Sequence, residues 1–365
     1  MYWQTGRSEG ELGCAMLYAK LFLCAILISV PFMRPPPYGK CQNSLPYVRN
    51  EHRVGRTNSM AEAINDVNNY RRKGTNNMWT ADNWKDYEVI DTSQGEKLER
   101  WGNYILVRPD PQVIWDTLKT DKRWKHMNGH YHRSSKGGGE WEFFDLPEEW
   151  SIRYKELTFR LKPFSFKHTG LFPEQAVNWD WFSSIIKGAG RPVKVLNLFA
   201  YTGGATLAAA KAGAAVTHVD ASKGMVNWAK ENAAASGLSD APIRWLVDDC
   251  VKFVEREIRR GNTYDAIIMD PPSYGRGPKG EIWKIEESIF PFIRLTTQIL
   301  SKDALFYLVN SYTTGLQPAV LTYMIQSALA PDFGGCTESS EIGLPVTSNG
   351  LILPCGASGR WTRSL

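Results

Sequence analysis

The sequence predicts an α/β protein with a mostly parallel main sheet, preceded by a smaller β-rich region. Two observations predict this class. From residue 192 onward, short apolar runs alternate strictly with helix-like segments, which is typical of a parallel sheet covered by helices on both faces. Residues 79–167 instead contain short β-branched and aromatic runs separated by turn residues, as expected for a small N-terminal antiparallel β domain.

The individual elements follow from these patterns. In the second region, strands are expected at 193–199, 215–219, 243–247, 264–269 and 304–309, with helices at 204–212, 225–235, 251–260, 289–300 and 319–329. Two hairpin-like runs end the chain. In the first region, strands are expected at 104–108, 141–144 and 157–161, and residues 134–139 are expected to form a loop because they include three consecutive glycines.

The first 77 residues differ in composition and hydrophobic pattern from the rest of the chain. Their apolar run at 21–33 is shorter than the ~20 residues that cross a bilayer, so we expect no stable membrane association unless 12–33 is a real anchor. Met78 is the expected natural start. The sequence thus predicts three parts: a non-native or disordered extension (1–77), a small β-rich domain (78–167) and the main domain (168–365).

Charge and cysteine content narrow the class of protein. The net charge of +5 belongs wholly to residues 1–77, which hold 10 basic and 5 acidic residues, whereas the remaining 288 hold 33 of each. The folded part is therefore not basic overall, and a nucleic-acid partner must be argued from a local patch such as 119–136. Six scattered cysteines without a CxxC pair exclude a disulfide scaffold.

The turn after the first strand of the main domain combines glycines with a following helix. Two glycines allow a sharp turn and a close approach to a ligand, and the helix presents free N–H groups. A tight strand–helix turn without a ligand is the alternative, and a dinucleotide site is disfavoured because GxGxxG is absent. The residues of this turn are Ala200, Tyr201, Thr202, Gly203 and Gly204.

Acidic residues follow the second and third strands. Asp220 precedes Ala221 and Ser222, and its carboxylate could accept hydrogen bonds from both ribose hydroxyls of an adenosine ligand. Asp249, before Cys250, could accept from an adenine amino group. For both acids, capping of the next helix is the alternative.

The most specific signal follows the fourth strand. Asp270 is followed by Pro271 and Pro272, and then by Tyr274. The prolines end the strand and stiffen the turn, which holds an acid and an aromatic ring at the mouth of the sheet. Asp270 could hold or deprotonate a nucleophile and Tyr274 could stack on a planar ring; a structural Pro-Pro turn is the alternative.

In this order and spacing, the motifs resemble those of class I S-adenosylmethionine-dependent methyltransferases, which have a seven-stranded, Rossmann-like sheet. The resemblance is greatest to a branch of ribosomal-RNA large-subunit methyltransferases. It rests on Asn-Leu-Phe-Ala-Tyr-Thr-Gly-Gly at 197–204 and Asp-Pro-Pro-Ser-Tyr at 270–274, and it extends over about 168–361. Uncharacterised bacterial members of this branch begin near the equivalent of Met78.

The resemblance implies a cofactor, a substrate class and site residues. The cofactor is S-adenosylmethionine, and the enzyme is a cytoplasmic methyltransferase acting on RNA, ribosomal RNA above all. The alternatives are a methyltransferase of protein or small molecules, and a cofactor-binding module without catalysis. Asp270, Pro271, Pro272 and Tyr274 would be catalytic and face the methyl acceptor. The cofactor would be bound by Phe172, Gln175, Asn197, Phe199, Ala200, Tyr201, Thr202, Gly203 and Gly204, by Asp220, Ala221 and Ser222 at the ribose, and by Asp249 and Cys250 at the adenine.

The sequence departs from this branch at the position of a catalytic cysteine. Members that methylate cytosine at carbon 5 need a cysteine nucleophile, which in the branch follows the fifth strand. Residues 309–315 contain no cysteine, and Cys355 lies off the motif, where packing is its expected role. We therefore expect a nitrogen or oxygen acceptor.

The front domain of that branch is not recognisable in 79–167. Residues 126–136 are expected to form a basic, aromatic loop that could follow a phosphate backbone, with a solvated loop as the alternative. A metal site at His126, His130 and His132 is conceivable, but no matching cysteine or acidic cluster accompanies them. We therefore expect no metal, and the oligomeric state stays open.

Overall fold

The structure, a computed structural model, describes residues 78–134, 138–164, 167–276, 282–313 and 315–363. The expected extension 1–77, including the segment 12–33, lies outside these residues. All described residues belong to one compact unit. Among the helices described, none is both long and apolar enough to cross a membrane.

Strands and helices in the described chain alternate as expected in its second half. The strands are β1 (Trp79–Thr80), β2 (Tyr87–Ser93), β3 (Glu96–Trp101), β4 (Tyr104–Pro109), β5 (Gly129–Arg133), β6 (Gly139–Phe143), β7 (Trp150–Tyr154), β8 (Leu157–Leu161), β9 (Lys194–Leu198), β10 (Ala215–Asp220), β11 (Ile243–Val247), β12 (Ala266–Met269), β13 (Tyr274–Arg276), β14 (Ile282–Lys284), β15 (Phe306–Ser311), β16 (Cys336–Pro345) and β17 (Ile352–Thr362). The α-helices are α1 (Ala176–Gly188), α2 (Gly204–Lys211), α3 (Lys223–Ala235), α4 (Cys250–Arg260), α5 (Ile285–Thr297) and α6 (Pro318–Phe333).

The main sheet has the strand order β1-β16-β17-β15-β12-β9-β10-β11 within the described chain. Strands β15, β12, β9, β10 and β11 are parallel, while β17 is antiparallel to both of its neighbours. Seven strands form the expected sheet, and the two-residue β1 adds to its edge. The predicted α/β fold class is confirmed.

The order of the strands places a ligand crevice beside β9. From β9 the chain first adds β10 and β11 on one side, and then returns to add β12 and β15 on the other. In an open α/β sheet, ligands bind outside the carboxyl ends of the strands at such a switch point. Leu198 and Met269, the last residues of β9 and β12, mark this position.

The front region is less regular than expected. Strands β2 to β6 form a five-stranded sheet, and β7 pairs with β8. Its pairs are antiparallel except that β4 and β5 run parallel, because residues 110–128 carry the chain back before β5 begins. The expected loop at 126–136 was wrong for residues 129–133, which form β5.

The front region shares its core with the main sheet. Ile152 and Phe159, both fully buried, belong to the same hydrophobic cluster as Trp179 and Phe182 of α1. The rings of Phe159 and Trp179 lie 5.4 Å apart between centroids. The hydrophobic core therefore continues from the front region into the main sheet. The predicted domain boundary at residues 167/168 stays a prediction.

Candidate active site

A cavity opens at the switch point of the main sheet. Backbone or side chains from the ends of β9, β12 and β15 form its floor. The residues that line it are Leu171, Phe172, Gln175, Trp179, Asn197, Phe199, Ala200, Tyr201, Thr202, Gly204, Ala205, Ile268, Asp270 and Asn310.

This lining contains nine of the residues expected from the sequence: Phe172, Gln175, Asn197, Phe199, Ala200, Tyr201, Thr202, Gly204 and Asp270. Five lining residues were missed, namely Leu171, Trp179, Ala205, Ile268 and Asn310. Asn310 carried a usable signal, because it is a buried polar residue near the end of an apolar strand. Trp179 carried none, because its position on α1 depends on tertiary packing.

The turn between β9 and α2 has an unusual backbone. Phe199 and Tyr201 have φ angles of 55° and 50°, and Gly203 has a φ of 89°. The left-handed region is costly for residues with a Cβ, and such residues are common at functional sites. The Tyr201 N–H donates to Oδ2 of Asp220 at 2.8 Å, which holds the turn against β10.

The two glycines of this turn are required by packing. A Cβ on Gly203 would lie 2.9 Å from the Cβ of Ala229, and one on Gly204 would lie 2.6 Å from the ring of Trp179. The expected sharp turn is present, and Gly204 lines the cavity. A close approach of a ligand to this backbone stays a prediction.

Asp220 lies at the end of β10 and is held by backbone groups. Its Oδ2 accepts from the N–H of Tyr201 and its Oδ1 from the N–H of Ser222, each at 2.8 Å. Burial raises the pKa of this carboxyl. Each oxygen can accept a further hydrogen bond. Helix α3 is capped by Ser222, so Asp220 does not provide the cap.

Six of the expected cofactor residues do not line the cavity, namely Gly203, Asp220, Ala221, Ser222, Asp249 and Cys250. Ala221 and Ser222 are exposed. Asp249 caps α4 through a 2.9 Å hydrogen bond from the N–H of Lys252, which is the alternative that the sequence left open. Cys250 is buried, and its sulfur accepts from the N–H of Phe199 at 3.3 Å, so it packs beneath the turn. Burial raises the pKa of its thiol.

The side chains of two expected site residues are hydrogen-bonded to other parts of the protein. Asn197 is buried and its Nδ2 donates to Oγ1 of Thr206 at 2.9 Å. The hydroxyl of Thr202 donates to the carbonyl of Gly170 at 2.5 Å, which joins the turn to the segment before α1. Both residues therefore stabilise the shape of the cavity that they line.

Asp270 stands at the end of β12 with a perturbed carboxyl. Burial, together with the negative charge of Glu174, raises its pKa to about 7. No hydrogen bond to this carboxyl occurs within the described part of the chain. Glu174 is itself buried in the 3₁₀ turn Pro173–Gln175, and burial raises its pKa as well. Glu174 lies in the segment 169–175 before α1 but was not among the site residues expected from the sequence.

The other residues of the Asp-Pro-Pro motif have mixed positions. Pro271 is buried, whereas Pro272 is exposed and its carbonyl accepts from Nε1 of Trp283 at 2.7 Å. Tyr274 begins β13, and 51% of it is exposed. None of the three lines the cavity.

An aromatic and amide wall closes one side of the cavity. The ring of Phe172 lies 5.5 Å from those of Tyr201 and Tyr312. Nε2 of Gln175 donates to the hydroxyl of Tyr312 at 2.7 Å, and Oε1 of Gln175 accepts from Asn178 at 2.9 Å. This wall connects the segment before α1 to the residues after β15.

A second, larger cleft of about 320 Å³ adjoins the first, and Leu171 and Phe172 line both. Its polar lining includes Lys97, Arg108, Asp110, Lys167, His168, Glu174, Tyr312 and Cys355. Burial, with the nearby Lys97 charge, lowers the pKa of Lys167 to about 8. Burial, with the Arg108 charge, lowers that of His168 to about 4. Near neutral pH, this cleft therefore presents Lys167 as a cation and His168 as a neutral ring.

Comparison with known proteins gives a consistent result. A protein-family model described as S-adenosylmethionine-dependent methyltransferase matches residues 104–305. The crystal structure of an S-adenosylmethionine-dependent methyltransferase from Agrobacterium tumefaciens has 37% sequence identity and a TM-score of 0.75, covering 80% of this chain and 94% of that one. A structure from Streptococcus mutans, at 16% identity and a TM-score of 0.61 over 85% of this chain and 83% of its own, shares the fold.

Curated relatives match a shorter part of the chain. A ribosomal RNA large subunit methyltransferase K/L from Shewanella frigidimarina is 34% identical over 172 residues, which are 47% of this chain and 22% of the relative. The protein of the same name from Syntrophotalea carbinolica is 30% identical over 183 residues, 49% of this chain and 25% of the relative. The matched region thus spans about a quarter of the length of these relatives.

Proposed function

This chain belongs to the S-adenosylmethionine-dependent methyltransferase family, and on that premise we propose that it methylates RNA, ribosomal RNA above all, at a nitrogen or oxygen atom. The curated relatives named for ribosomal RNA support the substrate class, and a cytoplasmic location follows from the same proposal. The observation that carries the choice of atom is Asp270, which lines the cavity and whose carboxyl has its pKa raised to about 7 by burial and by the charge of Glu174. It could therefore accept a proton from a nitrogen or oxygen nucleophile.

The polar and aromatic groups at and beside the first cavity suit the cofactor. S-adenosylmethionine supplies an electrophilic methyl group on a sulfonium. Asp220 lies beside the cavity, held to the N–H of the lining residue Tyr201, and each of its carboxylate oxygens has an acceptor position beyond its backbone hydrogen bond. These positions suit a pair of ribose hydroxyls. The aromatic rings of Phe172 and Tyr201 suit the apolar and cationic parts of such a ligand. Asp249, which caps a helix, stays a candidate for the adenine through its second oxygen.

The second cleft is the proposed entrance for the methyl acceptor. It adjoins the first cavity at Leu171 and Phe172, so an acceptor in the cleft can reach the neighbourhood of Asp270. Its volume of about 320 Å³ is at the lower end of ordinary ligand pockets, which leaves room for one base extruded from a larger RNA. Lys167 supplies a positive charge for a phosphate.

The proposed chemistry needs alignment and one proton transfer. S-adenosylmethionine, when bound, would supply the methyl group to the acceptor's lone pair, and the residues around the cavity would align the acceptor with it. The carboxylate of Asp270 would take up the proton that the acceptor releases. Tyr274, exposed at the start of β13, is the proposed stacking platform for a base, and Pro271 and Pro272 stiffen the segment between them.

A carbon-5 acceptor is disfavoured by the state of Cys355. This residue lines the second cleft, which brings one thiol closer to the acceptor than its sequence position indicated. However, burial and the charge of Glu174 raise the pKa of the thiol. A nucleophilic cysteine needs the opposite shift, because the thiolate is the reactive form.

The acceptor class can be tested with tritiated S-adenosylmethionine. We expect label to enter total RNA, and not a protein extract or a metabolite mixture treated in the same way. Label that enters only protein or metabolites would reject RNA as the substrate. RNA containing 5-fluorocytosine then tests the atom, because a covalent protein–RNA adduct would show a carbon-5 mechanism and refute a nitrogen or oxygen acceptor.

Asp220→Ala is expected to raise the dissociation constant for S-adenosylmethionine by about 10- to 100-fold. Hydrogen bonds to a charged group contribute roughly 1.5–3 kcal/mol each, and 1.4 kcal/mol is about tenfold in affinity. Calorimetric titration would measure the change. Asp240→Ala is the matched control, since Asp240 is exposed and lines neither cavity. Equal affinity in wild type and Asp220→Ala would remove Asp220 from the proposed site.

A further inference from the structure

We propose that His130, His132 and Glu142 bind a divalent transition-metal ion on the front sheet, with Zn²⁺ as its representative. This site is separate from the methyltransferase site, because none of the three residues lines either cavity described above. The two imidazoles and one carboxylate are ligands that suit such ions.

Strand geometry brings the three side chains to one face. His130 and His132 are two residues apart on β5, so their side chains point the same way. Glu142 lies directly opposite His130 on the neighbouring strand β6. One potential ligand atom from each residue lies within 4.8 Å of those of the other two.

The sequence could not reveal the acidic partners of these histidines. Nε2 of His132 lies 2.8 Å from Oε2 of Glu142, and Nε2 of His130 lies 2.7 Å from Oε1 of Glu96. The reason for expecting no metal was the absence of an accompanying acid, and that reason was wrong. His126, the third histidine considered, lies outside the cluster.

The distances require little rearrangement for a metal ion to enter. Zinc bonds to nitrogen or oxygen are about 2.0–2.2 Å, so ligand atoms around one tetrahedral ion lie roughly 3.3 Å apart. Nε2 of His132 and Oε2 of Glu142 lie 2.8 Å apart, and no pair of potential ligand atoms in the cluster is more than 4.8 Å apart. The side chains of His132 and Glu142 are 47% and 53% exposed, so they can turn toward an ion, and water can complete its coordination.

The contacts around the cluster leave room for one shared ion. The rings of His130 and His132 lie 3.9 Å apart between centroids, which is close enough for one ion to reach a nitrogen of each. Lys119 pairs with Oε2 of Glu96 at 2.6 Å, which leaves Glu142 as the carboxylate available to the ion.

Binding at this site would join two strands at the edge of the front sheet. The sheet order places β6 at an edge, and its partner is β5. A metal bound by His130, His132 and Glu142 would link these strands through side chains as well as through backbone hydrogen bonds. The expected role is therefore structural stabilisation of the front region.

Titration of the full chain with ZnCl₂ by calorimetry, and with CoCl₂ by visible absorption, tests the proposal. We expect saturable binding whose affinity falls at least tenfold in His132→Ala and in Glu142→Gln. The tetrahedral Co²⁺ absorption bands should be lost in the same variants. His126→Ala is the matched control and should bind as the wild type does, and circular dichroism should show that each variant is folded.

Comparing the variants distinguishes binding at this site from binding of metal ions elsewhere on the chain. If His132→Ala and Glu142→Gln bind Zn²⁺ as tightly as His126→Ala, the proposal is overturned. An absence of saturable binding in the wild type overturns it too. Methyl transfer is not the readout, so failure of the proposed function would leave these measurements unaffected.

Discussion

Asp270→Asn is expected to lower the rate of methyl transfer by about 10²- to 10⁴-fold, the usual contribution of a general base. Asparagine keeps the shape of the side chain but cannot accept the proton. S-adenosylmethionine should still bind, because Asp220 and the aromatic wall are unchanged. Single-turnover transfer to RNA measures the rate, and calorimetric titration measures the binding.

The pH dependence of the wild type should report the same carboxyl. Since the pKa of Asp270 is raised to about 7, its basic form accumulates above that pH, and the rate should rise through neutrality to a plateau. Glu174→Gln removes the nearby charge that contributes to this shift, so the midpoint should move to lower pH. A profile without a rise near pH 7, or one unaffected by Glu174→Gln, would contradict this assignment.

Stability provides a control that does not depend on activity. A carboxyl whose pKa is raised on folding contributes stability at low pH that is lost as the pH rises through the folded-state pKa. Asp270→Asn should therefore melt at a higher temperature than the wild type at pH 8, and this difference should shrink as the pH falls toward 4. The exposed Asp240 offers a matched control, because Asp240→Asn should change neither melting temperature nor rate.

Glu99→Ala is expected to lower the free energy of unfolding by about 3–5 kcal/mol, as removal of one partner from a buried ion pair usually does. Glu99 is fully buried on β3, and Arg108 is 5% exposed on β4. The guanidinium of Arg108 donates to both carboxylate oxygens, at 2.6 and 2.8 Å. Tyr87 donates to the same carboxylate at 2.7 Å. The substitution would leave the buried guanidinium without its counter-charge.

Chemical denaturation of Glu99→Ala measures this loss. Glu149→Ala is the control, because the ion pair of Glu149 with Arg160 is exposed and such pairs contribute about 0–1 kcal/mol. Equal destabilisation by the two substitutions would contradict the buried-pair argument. A small effect of Glu99→Ala alone would do so as well.

Protonation of Glu99 at low pH should reproduce part of the loss of stability that Glu99→Ala causes. Burial alone would raise the pKa of Glu99, but the charges of Arg108 and Lys97 outweigh it and lower the pKa to about 2. Because the folded-state pKa lies below the ordinary value of 4.5, the pair stabilises the fold above that pH. This contribution should decline as the pH falls from 4.5 toward 2, and it should be missing from the pH profile of Glu99→Ala.

The sequence predicted best those site residues that directly follow a strand of the main sheet. The alternation of apolar strands and helices predicted the parallel sheet, and residues directly after β9 and β12 line the cavity. This success has a physical reason: in a parallel sheet with helical crossovers, the carboxyl ends of the strands lie at one edge. A motif that directly follows a parallel strand is therefore expected to lie beside the ligand-binding cavity.

Only the tertiary structure decided which polar groups meet from distant parts of the chain. Glu174 comes to influence Asp270, and Glu96 and Glu142 come to His130 and His132. Asp249 became a helix cap and Cys250 a buried packing residue, although both follow a strand. A carboxylate looks the same in sequence whether it binds a ligand, caps a helix or perturbs a neighbour. Its role is set by which groups surround it and how far water is excluded, and packing alone determines both.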